Sequence, residues 1–212
     1  MPLANTLVYS EDKEHNRYDA VMHRRSDHQP LKKVNMYTEV LSFWFEETKP
    51  RLWFSATARF DRQVHERFLT LLQAAAAAEL SDWRSSYAGR LAEIIVLDQF
   101  SRNIYRGTPQ AFAQDSMALA LAQEAVAAGA LLSLDENQRH FLLMPYMHSE
   151  SAVIHRVAGP LFRQYASVGH RHEVQHKAII DRFGRYPHRN AILGLDSTTE
   201  ELEFLQQPGS GF

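Results

Sequence analysis

The sequence predicts an all-α fold of about eight antiparallel helices. Apolar residues recur at helical spacing through most of the chain, and capping residues and glycines separate the periodic segments. No segment alternates between apolar and polar residues over a length typical of a strand. The connections between the periodic segments are short, as they are between antiparallel neighbours.

Composition limits the classes of function. A chain of 212 residues that is 45% hydrophobic can bury a core of its own. A formal net charge of -2 argues against a general nucleic-acid or membrane-surface binder, and the absence of cysteine excludes disulfides and thiolate sites. No apolar run approaches the ~20 residues of a membrane span, and the first residues lack the pattern of a secretion signal. We therefore expect a cytoplasmic protein without nucleic-acid or membrane partners.

The chain divides into a polar extension at residues 1–35, a single helical domain at 36–206 and a tail at 207–212. The extension mixes charges and has no periodicity, so we expect it to be loosely ordered. It could equally be an arm that packs on the domain or on a partner subunit. The first helix is expected to begin at Met36.

Two early helices follow from the apolar pattern. Phe60, Val64 and Phe68 share a helical face, and an alanine run at 74–78 continues that helix. Residues 88–104 are apolar on nearly every side, which is typical of a central helix covered by its neighbours.

Capping signals delimit the next helices. Thr108 and Pro109 predict the start of an alanine-rich helix that ends near Gly129. Ser133 with Glu136 predicts a capping box for the helix after it.

The C-terminal helices are predicted in the same way. The capped helix is expected to end at Pro145, and another is expected over residues 149–168, closed by Gly169. A helix over 170–183 and a short helix capped by Ser197 with Glu200 complete the domain.

A polar corner, Asp181–Asn190, stands out in the sequence. It holds three arginines, a histidine, an asparagine and a carboxylate within ten residues. Gly184 suits a helix C-cap and Pro187 prevents the helix from continuing, so the corner is expected to be rigid and rich in hydrogen-bond donors.

The predicted central helix carries an unusual pair. Asp98 and Arg102 lie on the same stripe as Leu91, Ile94 and Ile95. A carboxylate on a core stripe is costly unless it is paired, and Arg102 is at the favourable i+4 position. The pair is either a structural ion pair that holds helices in register or part of the lining of a polar cavity.

The pattern Asp-x-Phe-x-Arg occurs twice, at Asp98–Arg102 and at Asp181–Arg185. Arg106 and Arg189 follow at the same further offset. The repetition suggests that two helix ends present matching carboxylate and guanidinium groups. Chance could also produce four shared residues.

A third polar group is His148-Ser149-Glu150. Histidine and glutamate near a helix boundary could act as acid and base, since a helix start favours ionised Glu150. The alternative is an N-cap serine with ordinary neighbours.

The segment His172–His176 matches the zinc-protease signature H-E-x-x-H. That chemistry needs two histidines one turn apart on the metal and a glutamate that polarises water. A third ligand is required, with Glu200 or His188 as candidates, and the metzincin continuation fails. We therefore predict no metal and no other cofactor, and keep a zinc-dependent hydrolase as a minor alternative.

Several segments together carry a resemblance to a known family. They are Leu97–Gly107, Pro145–Glu150 and Arg182–Gly194, with Trp53-Phe54 and Phe60-Asp61 as further matches. In these segments the chain resembles the bacterial family catalogued as domain of unknown function 924. The resemblance covers residues 36–206 and implies a tetratricopeptide-like helical fold without an established activity. Leu195 stands where the family usually has arginine, and of the H-E-x-x-H residues only His176 fits the family.

Three hypotheses of function remain. The first is a polar pocket that binds an anionic small molecule or a peptide carboxylate, with or without acid–base chemistry. Its catalytic candidates are His148, Glu150 and His188. Its ligand-binding candidates are Asp98, Arg102, Asn103, Arg106, Arg182, Arg185, Arg189 and Asn190.

The second hypothesis is a protein-interaction module without catalysis, and the third is a polar network that only stabilises the fold. Whether the chain is an enzyme stays open. A homo-oligomer is also open, because Trp44, Trp53 and their aromatic neighbours could cover an interface instead of a core.

Overall fold

The described part of the protein begins with helix α1 (Leu31–Ser42), which continues into a π-helical turn at Phe43–Glu47. The computed structural model describes residues 31–55 and 57–211. The helix predicted to begin at Met36 therefore starts by Leu31. The rest of the predicted polar extension lies outside the described residues. The chain from Met36 onward forms one compact unit.

Ten further α-helices follow within the described residues. They are α2 (Arg51–Phe54), α3 (Ala58–Ala76), α4 (Tyr87–Ile95), α5 (Ser101–Ile104), α6 (Asp115–Ala127), α7 (Glu136–His148), α8 (Ala152–Tyr165), α9 (Ser167–Phe183), α10 (Asn190–Leu193) and α11 (Thr199–Leu205). The elements between them are short 3-10 turns and a π-helical turn at Val96–Phe100. Every element in the described ranges is helical, which confirms the predicted all-α class. No helix described here is long and apolar enough to cross a membrane.

The central element is α4 together with the π turn that joins it to α5. Leu91, Ile94, Ile95, Leu97 and Phe100 are fully buried, as the all-round apolar pattern predicts. Helices α3, α6 and α7 pack around this element. The π turn at Val96–Phe100 was not predicted, because apolar periodicity does not show one inserted residue.

Aromatic side chains fill the space between α1, the central element and α7. The Trp44 ring meets Phe100 and Phe141 edge-on, with ring centroids 5.6 and 5.4 Å apart. Trp53 packs on Phe141 at 5.1 Å, and its indole N–H donates to the Trp44 carbonyl. Trp44 therefore belongs to the core and is not available to cover an interface.

Helix α7 differs from the prediction at both ends. Asp135 caps it in a reciprocal box with Gln138, where the sequence pointed to Ser133 with Glu136. Pro145 lies inside the helix, which continues to His148. The residues around Pro145 are buried on all sides, so tertiary packing keeps the last turn helical despite the proline.

The break after α8 also differs. It falls at Ala166, whose backbone leaves the helical conformation (φ -144°, ψ 61°), and Gly169 lies inside α9 instead of closing the preceding helix. A Cβ atom on Gly169 would lie 2.3 Å from Nδ1 of His140. Gly169 is therefore needed for the close approach of α7 and α9.

Two other helices begin later in the chain than their capping residues predicted. Pro109 opens a 3-10 turn, and the alanine-rich helix begins later, at Asp115. The last helix is capped by Thr198 with Glu201, one residue beyond the predicted pair. Ser and Thr at adjacent positions made the sequence signal ambiguous.

Candidate functional site

Asp98 lies on the π turn, and its side chain is buried. One carboxylate oxygen is 2.7 Å from Nδ1 of His148 and 3.1 Å from an Arg102 guanidinium nitrogen. The Gln99 amide donates to the other oxygen. Burial alone would raise the pKa of Asp98. The Arg102 charge and the contact with His148 outweigh it and hold the pKa below its ordinary range.

His148 is the last residue of α7, and Asp98 orients its imidazole ring. Among the described residues none is hydrogen-bonded to its Nε2 atom. Burial is the main effect that lowers the pKa of His148. The positive charge of Arg102 adds to it, and Asp98 opposes both. The lowered pKa favours an uncharged ring at neutral pH.

Arg102 and Arg189 meet on one carboxylate, Asp115 at the start of α6. Arg102 binds it with two parallel hydrogen bonds of 2.8 and 3.0 Å. Arg189 reaches the same carboxylate at 3.3 Å. The sequence did not point to Asp115, because an acidic residue in the first turn of a helix is common for reasons unrelated to a site.

Arg189 is buried between two aromatic rings. Its guanidinium lies 4.6 Å from the Phe112 ring centroid and 4.7 Å from that of Tyr186. It donates to the His148 carbonyl at 3.1 Å and lies 3.5 Å from Glu150. Its Nε atom has no hydrogen-bond partner among the described residues. Burial, followed by the charge of Arg102, lowers the pKa of Arg189.

Glu150 follows α7 and sits at the edge of the group around Asp98. Its carboxylate accepts the backbone N–H of Tyr186 at 3.1 Å. About a third of the side chain, 35%, stays exposed. Glu150 does not lie at a helix start, since α8 begins at Ala152. Glu150 therefore lies two residues before the first residue of α8, outside the first turn in which the sequence placed it.

Three residues of the polar corner, Arg182, Arg185 and Asn190, contact α11 and lie apart from the group around Asp98. Arg185 binds Glu201 with two hydrogen bonds of 2.6 and 2.7 Å, and this contact lowers the pKa of Glu201 to about 2. The Asn190 amide donates to the same carboxylate at 3.3 Å. Arg182 pairs with Glu200 on the surface.

The repeated Asp-x-Phe-x-Arg pattern is therefore not repeated in three dimensions. Asp98 is buried and pairs with Arg102, whereas Asp181 is exposed and pairs with Lys177. Arg185, which corresponds to Arg102 in the second copy, binds Glu201 on α11. The prediction that both copies present matching groups is wrong, because burial depends on neighbouring helices that the local pattern does not contain.

Asn103 and Arg106 form a third cluster, with Asp61 on α3. The Asn103 amide and the Arg106 guanidinium donate to the Asp61 carboxylate at distances of 2.7 to 3.0 Å. This cluster joins α5 to α3. None of its hydrogen bonds reaches Asp98 or His148 within the described ranges.

His188 lies beside Arg189 and near the group around Asp98. Its ring packs on Tyr186 with centroids 5.7 Å apart. Burial, followed by the charge of Arg189, lowers the pKa of His188 to about 4.

In α9 the residues of the zinc signature make contacts within the helical fold. Glu173 is fully buried and lies 2.8 Å from Nδ1 of His155, and Nδ1 of His176 contacts the His172 carbonyl. Glu173 is thus directed at α8 instead of at water between two histidines. In the part of the chain that the structure describes, no three histidine or acidic side chains are grouped as metal ligands.

The predicted residues fall into distinct groups. The structure brings together Asp98, Arg102, His148, Glu150 and Arg189, which we call the His148 site. It places Asn103, Arg106, Arg182, Arg185 and Asn190 elsewhere. Sequence reasoning missed Asp115, Phe112 and Tyr186, whose proximity arises only from the packing of helices far apart in the chain.

Comparison with known proteins agrees with this fold. A family model described as bacterial protein of unknown function (DUF924) matches residues 40–209. A solved structure of a protein of unknown function from Agrobacterium tumefaciens is 34% identical, with a TM-score of 0.78 over 82% of this chain and 98% of that one. None of the curated proteins matches the sequence. The chain belongs to the bacterial family of unknown function DUF924.

Proposed function

We propose that the His148 site is an acid–base centre that acts on a small molecule carrying an anionic group. The observation that carries the proposal is the 2.7 Å contact between Asp98 and Nδ1 of His148, with no described residue bonded to Nε2. One ring nitrogen is held by the protein, and the other is left for a ligand.

The contact determines which nitrogen is the base. An ionised carboxylate can only accept hydrogen bonds, so Nδ1 of His148 carries the hydrogen and Nε2 presents its lone pair. A proton taken up at Nε2 makes the ring cationic, and the adjacent Asp98 carboxylate stabilises that charge. The same ring can then return the proton to a leaving or product atom.

Arg189 is the cation best suited to an anionic group. Arg102, Arg106 and Arg185 each have at least one carboxylate oxygen within 2.8 Å. Arg189 reaches its two carboxylates only at 3.3 and 3.5 Å. A ligand carboxylate can therefore replace a weak contact at Arg189, whereas at the other arginines it would displace a strong one.

The formal charge of the site favours a singly charged anionic group over a doubly charged one. The His148 site and the adjoining Asp115 together hold three carboxylates, of Asp98, Asp115 and Glu150, against the guanidiniums of Arg102 and Arg189. With an uncharged His148 the formal sum is negative. A carboxylate adds one negative charge, whereas a phosphate adds about two and meets more repulsion. We therefore expect monocarboxylates to bind in preference to phosphates.

Thermal-shift measurements test the proposal with a panel of small monocarboxylates, amino acids and inorganic phosphate. We expect at least one carboxylate to raise the melting temperature of the wild type. Arg189→Gln is expected to abolish that rise, and Arg182→Gln is the control because Arg182 pairs with Glu200 on the surface. Failure of every carboxylate, or equal loss in both variants, would overturn the proposal.

A further inference from the structure

The end of helix α7 is held in an unusual way. Its last carbonyl groups have no partners inside the helix, as at every helix C-terminus. Here three successive carbonyls each receive a side-chain hydrogen bond. Tyr186 donates to Met147 at 2.5 Å, and Arg189 donates to His148 at 3.1 Å. His155 donates to Ser149 through Nε2 at 2.8 Å.

His155 is itself fixed from behind by Glu173. The carbonyl of Ser149 can only accept, so Nε2 of His155 must carry a hydrogen. Its other nitrogen, Nδ1, lies 2.8 Å from Glu173, and both side chains are fully buried. The remaining Glu173 oxygen, Oε2, is buried without a hydrogen-bond partner among the described residues.

The buried pair of Glu173 and His155 therefore shares one proton at this contact. Either Glu173 is the neutral acid and donates, or His155 is cationic and donates. In both cases the contact persists and keeps Nε2 of His155 on Ser149. Burial raises the pKa of Glu173, which favours the neutral acid.

Tyr186 links this pair to the His148 site. Its hydroxyl lies 3.2 Å from Nε2 of His155 as well as on the Met147 carbonyl. Its ring lies against the Arg189 guanidinium, and its backbone N–H donates to Glu150. One fully buried side chain thus touches both halves of the arrangement.

We propose that Glu173, His155 and Tyr186 are positioning residues for His148, because together they hold the backbone on both sides of it and so keep its ring on Asp98. The inference rests on the proposed role of His148 as the base. It assigns Glu173 of the H-E-x-x-H motif to the support of a histidine outside that motif.

The test follows the His148 ring by NMR in protein labelled with ¹⁵N-histidine. Tyr186→Phe removes only the hydroxyl, and Glu173→Leu removes the partner of His155. Both are expected to shift the His148 ring nitrogen resonances and to increase the fraction of the tautomer with hydrogen on Nε2. Glu173→Gln can still donate to Nδ1 of His155, so it is expected to restore the wild-type spectrum.

Glu93→Gln is the matched control for loss of a buried carboxylate. Glu93 is fully buried and bonded to Arg84, and within the described residues it makes no hydrogen bond to Met147, His148 or Ser149. We expect it to lower the melting temperature without moving the His148 resonances. Unchanged His148 resonances in both Tyr186→Phe and Glu173→Leu would overturn the inference, as would equal shifts in Glu93→Gln. If the wild-type ring is not the neutral Nδ1–H form, the proposed function itself fails.

Discussion

Asp98 and Asp181 occupy the same place in a repeated sequence pattern, and their surroundings are opposite. Asp98 has 1% of its side chain exposed and serves both Arg102 and His148, whereas Asp181 has 49% exposed and pairs with Lys177. A buried charge whose partner is removed is costly, and an exposed pair contributes little. The same substitution should therefore have very different effects at the two positions.

Asp98→Asn is expected to lower the free energy of unfolding by about 2 to 4 kcal/mol, because Arg102 and His148 lose a buried carboxylate. Asp181→Asn is expected to change it by less than about 0.5 kcal/mol. Urea unfolding of both variants at neutral pH gives the comparison. Similar losses in the two variants would show that the two copies of the pattern are equivalent after all.

At the scale of a helix, the approach of α7 to α9 depends on one residue without a side chain. A Cβ atom at Gly169 would lie 2.3 Å from His140 and 2.9 Å from Phe162. His140 is itself buried and packs edge-on against Phe162. Both rings are buried, so moving either one disturbs the packing around it.

Gly169→Ala is therefore expected to cost about 2 kcal/mol or more in stability through overpacking. Gly159→Ala is the control, because a Cβ there meets nothing within 4 Å. It lies in α8 before Pro160, which offsets part of the usual helix gain, so we expect a change within about 0.5 kcal/mol. Calorimetric melting of the two variants distinguishes close packing from a general effect of glycine replacement.

The elements also show what the sequence could and could not predict. Helical periodicity predicted the central helix and its burial, since that signal depends on neighbours along the chain. It predicted the Asp98–Arg102 pair for the same reason. The π turn, the helical Pro145 and the meeting of Arg102 with Arg189 on Asp115 depend on contacts between distant segments. A local pattern does not contain those contacts.

At the scale of the whole molecule, burial keeps several histidines of the folded protein uncharged at mildly acidic pH. Burial is the main cause that lowers the pKa of His140 and His188 to about 4 and that of His176 to about 3. In the unfolded chain the pKa of each is ~6.5. Between these values the unfolded chain binds more protons than the folded protein, so acid favours unfolding.

The free energy of unfolding is therefore expected to rise with pH between about 4 and 6.5 and to level off above. Each such histidine contributes a slope of up to ~1.4 kcal/mol per pH unit. Glu173 has the opposite effect. Burial raises its folded-state pKa, so its contribution lowers the free energy of unfolding as the pH rises above the ordinary pKa of a glutamate. Denaturant unfolding at a series of pH values measures the slope.

His140→Leu separates one histidine from the rest. Both ring nitrogens of His140 are buried without hydrogen-bond partners among the described residues, so leucine removes a proton site and no hydrogen bond. The slope of the free energy of unfolding against pH is expected to fall by the contribution of one histidine, up to ~1.4 kcal/mol per pH unit. A slope unchanged from wild type would mean that His140 binds its proton equally well in the folded and the unfolded protein.

The central claim is that Asp98 holds His148 as a neutral base with its lone pair on Nε2. A long-range ¹H–¹⁵N spectrum of ¹⁵N-histidine-labelled protein at pH 7 tests it directly, with His148→Asn to assign the signals. We expect a hydrogen on Nδ1 and an unprotonated Nε2. A hydrogen on Nε2, or on both nitrogens at that pH, would contradict the claim.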